Sequence, residues 1–317
     1  MLGGVPRTRF ARRLAGLLCA SAVAAAGAAG CGGGTATDGA GAAPARGTVP
    51  AVPEARTDAF DGRRAFAHLR AQVRLGPRPA GSAASRRLAA SLRRQLPAGR
   101  FEPVPGHPPG MRNVVGRLPG RGPAILVGAH YDTIAIPGFV GANDGAAGTA
   151  AVVELSRGLR RTQRACSREI RFVLFDGEEA PVRSADFLRD GLRGSKHHAA
   201  RHGDGIGAVI ILDFIANHGV RLPREAGSHP GLWARLRASA ARVGVAEVFP
   251  PHVVPEILDD HTPFARRGIP AIDLIDFSYP HFHRRSDDLR AVSERSLDAV
   301  GEAVHDLVRR EADAGCR

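Results

Sequence analysis

The chain has 317 residues, is 44% hydrophobic and 24% charged, and carries a formal charge of +13 with only 5% aromatic residues. The positive charge is almost entirely arginine, with Lys196 the single lysine. It is scattered along helical segments rather than interleaved with aromatics, which excludes a nucleic-acid interface as its explanation. No Cys-x-x-Cys pair is present, so a cysteine zinc site is excluded as well.

Residues 1–30 read as an export signal. Arg7, Arg9, Arg12 and Arg13 precede an Ala-rich apolar segment from Leu14 to Ala29, which is too short and too rich in small residues for a permanent membrane span. Ala28-Ala29-Gly30-Cys31 resembles a bacterial lipoprotein processing site, so Cys31 is the candidate point of a lipid anchor to the membrane. Plain secretion is the alternative, and Arg12-Arg13 also permits a twin-arginine signal. The expected location is therefore outside the cytoplasm, as a cell-surface lipoprotein or a secreted bacterial protein. Residues 31–55 are Gly, Ala, Thr and Pro with few large apolar side chains, and read as a flexible tether. Residues 56–317 remain, roughly 260 positions, enough for one α/β domain with a substantial core. Cys166 and Cys316 are its two cysteines, and an oxidising compartment would allow them to pair.

Helical and strand patterns alternate through this domain. Arg63–Val73 and Ser85–Leu96 read as amphipathic helices separated by Gly76-Pro-Arg-Pro-Ala-Gly81. Met111–Leu118 and Pro123–Ala129 read as strands, the second ending at His130-Tyr131-Asp132. Gly145–Arg160 reads as a helix with Asp144 at its start. The strand Ile170–Phe175 ends abruptly in Asp176-Gly177-Glu178-Glu179, and the strand Ile206–Leu212 ends at Asp213. A helix over Leu232–Val243, a strand over Ile269–Ile275 and a closing helix over Ser293–Arg309 complete the pattern. Apolar strands each followed by a polar turn and a helix predict a mainly parallel mixed sheet with helices on both faces.

The strand ends carry the chemistry. In open α/β sheets, ligands bind outside the carboxyl ends of the strands. His130, Glu179 and Asp213 sit at such ends, Asp144 at a helix start, and His283 in the loop before the last helix. Each has an ordinary role open to it: a strand-end histidine, a turn acid, a salt-bridging acid, a helix N-cap for Asp144, a surface histidine. Together they are the carboxylates and imidazoles that suit Zn²⁺ with a position left open. Two adjacent acids are costly to bury unless something pairs with them; a metal ion and a proton transfer would account for Glu178 and Glu179.

Val127-Gly-Ala-His-Tyr-Asp-Thr133 followed by Gly141-Ala-Asn-Asp-Gly-Ala-Ala-Gly148 resembles the signature of the co-catalytic zinc aminopeptidases. Phe175-Asp-Gly-Glu-Glu-Ala180, Asp259-Asp-His-Thr-Pro-Phe264, Gly268-Ile-Pro270 and Tyr279-Pro-His-Phe-His283 resemble more particularly the glutaminyl cyclases of the same superfamily. That resemblance implies Asp144, Glu179 and His283 as ligands of the main zinc and Glu178 as general base and acid. It implies His130 and Asp213 as ligands of a second zinc in the aminopeptidase branch, bridged by Asp144. In the cyclase branch it implies one zinc, with Asp213 and Asp259 contacting Glu178 and the substrate amine. Asp132 would orient His130.

Three features favour the cyclase branch: the insertion Pro181–Gly191 before Gly194-Ser195, Asp259 where aminopeptidases commonly carry serine, and Ile272-Asp-Leu-Ile-Asp-Phe277 with the following Tyr-Pro. The tryptophans that cyclases place near substrate are replaced by Ser184 and Phe282, and the only tryptophan, Trp233, lies elsewhere. The implied activity is conversion of N-terminal Gln of peptides or proteins to pyroglutamate with release of ammonia. The alternatives are hydrolysis of N-terminal peptide bonds and an inactive anchored binding domain. Among the other histidines, His107, His197, His198, His202, His218 and His252 read as surface or structural, and His261 as a residue lining the site beside Asp259.

Overall fold

Six strands form one mixed sheet, in the spatial order Arg100–Pro103, Arg112–Leu118, Arg168–Phe175, Arg121–His130, Ile206–Leu212 and Ala271–Leu274. In a computed structural model that describes residues 49–316, the elements run α1 (Gly62–Val73), α2 (Ala83–Gln95), β1 (Arg100–Pro103), β2 (Arg112–Leu118), β3 (Arg121–His130), α3 (Gly148–Thr162), β4 (Arg168–Phe175), α4 (Phe187–Asp190), α5 (Arg193–His202), β5 (Ile206–Leu212), β6 (Arg224–Glu225), α6 (Pro230–Arg242), β7 (Val253–Val254), α7 (Thr262–Ala265), β8 (Ala271–Leu274) and α8 (Glu294–Asp313). The expected signal, Cys31 and the first part of the tether lie outside the described residues. Of the tether, residues 49–55 are described, and Val52 and Ala55 pack against the core. Among the described residues no helix is long and apolar enough to cross a membrane.

The strands β4, β3, β5 and β8 are mutually parallel, while β1 and β2 extend the β4 side of the sheet by antiparallel pairing. Their β-branched and aliphatic residues are buried on both faces, as parallel strands covered by helices require. Alternation along β3 divides the core. Ile125, Val127 and Ala129 pack with residues of α1, α3, α6 and α8, whereas Leu126 packs with Val209, Ala199 of α5 and Phe264 of α7. α8 is started by the Ser293 hydroxyl, which accepts from Ser296 N, and lays Leu297, Val300, Val304 and Leu307 on the sheet.

The strands and helices read from the sequence are present, with shifts at their ends. The helix expected from Gly145 begins at Gly148, because Asp144 is extended (φ −83°, ψ 94°) and Gly145 takes φ 95°. β1, α4, α5, β6, β7 and α7 are additions. Arg100-Phe-Glu-Pro103 carries two charges and a proline, which suit an edge strand and mask the apolar signal.

Cys166 and Cys316 form a disulfide that ties the start of β4 to the C-terminal end, 150 residues apart in sequence. Closing so long a loop restricts the unfolded chain, so replacing both cysteines by serine is expected to cost about 2–4 kcal/mol, read as a fall in the urea midpoint.

Candidate metal centre

The carboxyl ends of β3, β4 and β5 lie side by side, with His130 opposite Phe175 in register, so residues that follow them in sequence converge in space. β3 delivers His130 and Asp132, β5 delivers Asp213, and the turn after β4 delivers Glu178 and Glu179. That turn is fixed from both sides. Asp132 accepts from Glu178 N (3.2 Å) and Glu179 N (3.4 Å), and the Arg193 guanidinium donates to the carbonyls of Gly177 (3.1 Å) and Glu179 (2.6 Å). Asp132 also stands 3.7 Å from Nδ1 of His130.

Asp144 does not cap a helix. The segment Ala142–Ala147 is a kinked π-helical turn, and α3 begins without a side-chain cap. Gly145 must be glycine here: besides its positive φ, a Cβ would stand 2.7 Å from the Asp132 carbonyl oxygen and 3.3 Å from the His130 ring. Asp287 holds the turn by accepting from Asn143 N (2.8 Å) and Asp144 N (3.1 Å), and Tyr279 donates to it at 2.6 Å. Arg78, fully buried, donates to the carbonyls of Gly76, Tyr131, Val140 and Gly141. Two residues of the site, Phe214 (φ 45°) and His283 (φ 52°), adopt the left-handed conformation that non-glycine residues avoid, which marks locally enforced backbone.

Two ligand groups share Asp144. His283 Nε2 lies 3.3 Å from Glu179 Oε2 and 3.7 Å from Asp144 Oδ2, while His130 Nε2 lies 3.3 Å from Asp213 Oδ1 and 3.4 Å from Asp144 Oδ1. Tetrahedral zinc with its bonds of about 2.0–2.1 Å holds its ligands roughly 3.3 Å apart, so both groups have the required spacing and donor types. Asp144 Oδ2 is buried without a hydrogen-bond partner, as expected where a metal completes the set. Glu179 Oε1 is occupied by Ile134 N at 3.0 Å, which leaves Oε2 for the metal. Glu178 belongs to neither group; its Oε2 is 4.0 Å from Nδ1 of His130.

Electrostatics without metal are those of a crowded acid cluster. Burial pushes the carboxyls of Asp144 and Glu178 well above the usual range, with His130 opposing in both cases. Burial also pushes Glu179 up to about 8. Burial disfavours the charged form of His130, but Asp132 and Asp213 outweigh it and raise its pKa well above the ordinary value. Burial, with Asp213 adding repulsion, raises Asp259 to about 6. Protons here occupy the place of a divalent cation.

All seven residues singled out in the sequence, Glu178, Asp213, Asp259, Asp144, Glu179, His283 and His130, are brought together, six of them lining one cavity of about 960 Å³ with His130 buried behind. Its walls are Phe214, Ile257, Phe277 and Phe282, the last stacked on the His283 ring at 3.9 Å. The insertion after Glu179 forms the opposite side through Pro181, Val182, Ser184 and Phe187. The Ser184 hydroxyl is engaged with Asp190 at 2.7 Å, and Trp233 packs on Phe249 in the core. His198 and His202 are structural, each 2.8 Å from an oxygen of Glu102. Sequence reading missed Arg193, Asp287 and Arg78; Arg78 lies in the Gly76–Gly81 segment and Asp287 just after His283, adjacent to motifs that were recognised.

A family model for "Peptidase family M28" matches residues 113–308. The chain is 29% identical to the glutaminyl-peptide cyclotransferase-like protein of Bos taurus over 238 residues, covering 65% of this chain and 60% of the relative. It is 25% identical to aminopeptidase YwaD of Bacillus subtilis, covering 59% of this chain and 42% of the relative. These curated relatives are thus spanned over about half their length. The Porphyromonas gingivalis glutaminyl cyclase superposes with a TM-score of 0.72 at 27% identity, covering 80% of this chain and all of that one.

Proposed function

The chain belongs to peptidase family M28, and from that premise we propose that it is a zinc-dependent glutaminyl-peptide cyclotransferase acting on N-terminal glutamine of exported peptides or proteins. The observation that carries this reading is Asp259, buried in the cavity wall with Asp213 and Glu178. A hydrolase needs a water and a base; a cyclase must in addition hold the substrate's own amine, and a second acid beside the base serves that purpose.

Zinc held by Asp144, Glu179 and His283 would supply Lewis-acid polarisation of the glutamine side-chain carbonyl. The remaining work falls to the chain. Asp213 and Asp259 receive the N-terminal amine. Glu178 takes a proton from it as its nitrogen bonds to the side-chain carbonyl carbon. The bond from that carbon to the amide nitrogen then breaks, and Glu178 returns the proton to the departing ammonia. A base for this task must titrate near the working pH, and burial raises Glu178 in that direction. Phe214, Ile257 and Phe282 give the cavity apolar lining beside these acids.

A second reading, a two-zinc aminopeptidase, is favoured by the His130–Asp144–Asp213 group, whose spacing suits a second ion. Action outside the cytoplasm is supported by the Cys166–Cys316 disulfide. Ammonia release from a Gln-peptide by the purified domain tests the proposal: pyroglutamyl peptide with stoichiometric ammonia is expected, and free amino acids alone would assign the aminopeptidase.

A further inference from the structure

Asp259 also belongs to a second cluster, whose other members the reaction above does not use. Glu225 on β6, Asp259, Asp260 and His261 before α7, and Asp273 on β8 are all buried. Glu225 Oε1, Asp259 Oδ2, both oxygens of Asp260, His261 Nδ1 and both oxygens of Asp273 lack hydrogen-bond partners. Among the described residues the only basic side chain facing these acids is His261, beside Glu225 and Asp273, and burial favours its neutral form; no arginine or lysine pairs with them. Four carboxyl groups around one imidazole, out of water, must be compensated by protons or by a bound cation.

The distances indicate what form that compensation takes. His261 Nε2 is 3.5 Å from Glu225 Oε1, and Nδ1 is 3.8 Å from Asp273 Oδ2. The Glu102–His198–His202 cluster has 2.8 Å contacts and is satisfied by hydrogen bonds alone. Between two of the candidate ligands here, His261 Nδ1 and Asp273 Oδ2, the 3.8 Å separation instead matches the 3.7 Å between His283 and Asp144 in the main centre. The donor set of the Asp259 cluster repeats that of Asp144, Glu179 and His283: two carboxylates and one imidazole, with ligand atoms within 4.8 Å of one another. Glu225 is itself fixed, its Oε2 accepting from Gly227 N (2.7 Å) and Ile257 N (3.2 Å). It stands behind His261 as carboxylates stand behind metal-bound histidines.

We propose that Asp259, Nδ1 of His261 and Asp273 form an inner site for a divalent transition-metal ion such as Zn²⁺, oriented by Glu225. The nitrogen donor disfavours Mg²⁺ and Ca²⁺, which take oxygen ligands. Two carboxylates neutralise the ion, and the occupied site fixes Asp259 as a carboxylate in the wall of the reaction cavity.

Diffraction at the zinc absorption edge, from crystals of the whole protein equilibrated with Zn²⁺, tests this directly. An anomalous peak bounded by Asp259, His261 and Asp273 is expected, separate from the peak at Asp144–Glu179–His283. In solution, His261→Gln should hold about one zinc fewer per chain than the wild type after identical equilibration and desalting. If that variant does not fold, Asp273→Asn, which removes a charge at nearly constant volume, serves the same comparison. Absence of the inner peak at saturating zinc, or an unchanged zinc content in a folded variant, overturns the proposal. Neither outcome depends on whether the protein cyclises or hydrolyses its substrate.

Discussion

Glu178→Gln lowers turnover by about 10²–10⁴-fold or more while leaving bound zinc close to the wild-type amount. The expectation rests on a division of labour between two neighbours in sequence. Glu179 points Oε2 at His283 and completes the Asp144–Glu179–His283 group, whereas Glu178 stands outside both ligand groups. Glutamine preserves the volume and the backbone bonds to Asp132 but cannot carry the proton. The paired change, Glu179→Gln, should instead lower zinc content together with activity. Metal analysis of the two variants beside their rates checks the assignment. Loss of zinc in Glu178→Gln with retention in Glu179→Gln would reverse the two roles.

Removing the metal is expected to destabilise the protein, and more so at pH 8 than at pH 5. In the metal-free fold the Glu179 carboxyl, ordinarily near 4.5, is pushed to about 8, and Asp259 to about 6. His130 is likewise raised above its ordinary value. Each of these groups binds its proton more tightly folded than unfolded. Between about 4.5 and about 8 the metal-free folded state therefore holds more protons than the unfolded chain, and its stability falls as pH rises through that window. Zinc takes the place of those protons, so its contribution runs the other way and grows with pH as the ligands ionise. At a hundredfold excess over the dissociation constant, binding contributes about 2.7 kcal/mol. Thermal unfolding with and without a chelator should show a gap in Tm that widens from pH 5 to pH 8. A gap that is constant or narrows would mean that the ligand set is misassigned.

The mainly parallel sheet and the gathering of acids and histidines at its strand ends are readable from residues because both rest on short-range signals. Continuous apolar runs ending in His130, Asp213 or the Glu178–Glu179 pair announce parallel strands and the side of the sheet where ligands gather. What was not readable is what holds those residues in place. The resemblance marks Asp144 as shared between two ligand groups, but nothing local shows the kink that puts it there, with Gly145 bending the chain against the Asp132 carbonyl. Arg78, Arg193 and Asp287 act through backbone atoms of distant segments, and nothing local in sequence signals such bonds. His261 read as a residue lining the site beside Asp259, but it lies buried beneath it with Glu225 and Asp273, from two strands remote in sequence. β1 escaped because an edge strand with arginine, glutamate and proline carries little apolar pattern.

The central claim is that the nucleophile is the substrate's own amine rather than water. Incubating the zinc-loaded protein with a peptide bearing N-terminal glutamine in heavy-oxygen water, and weighing the products, tests it most directly. Cyclisation predicts a pyroglutamyl peptide containing no solvent oxygen, with one ammonia released per peptide consumed. Free glutamine carrying a heavy oxygen in its new carboxylate, with a shortened peptide and no ammonia, would contradict it and identify the protein as an aminopeptidase.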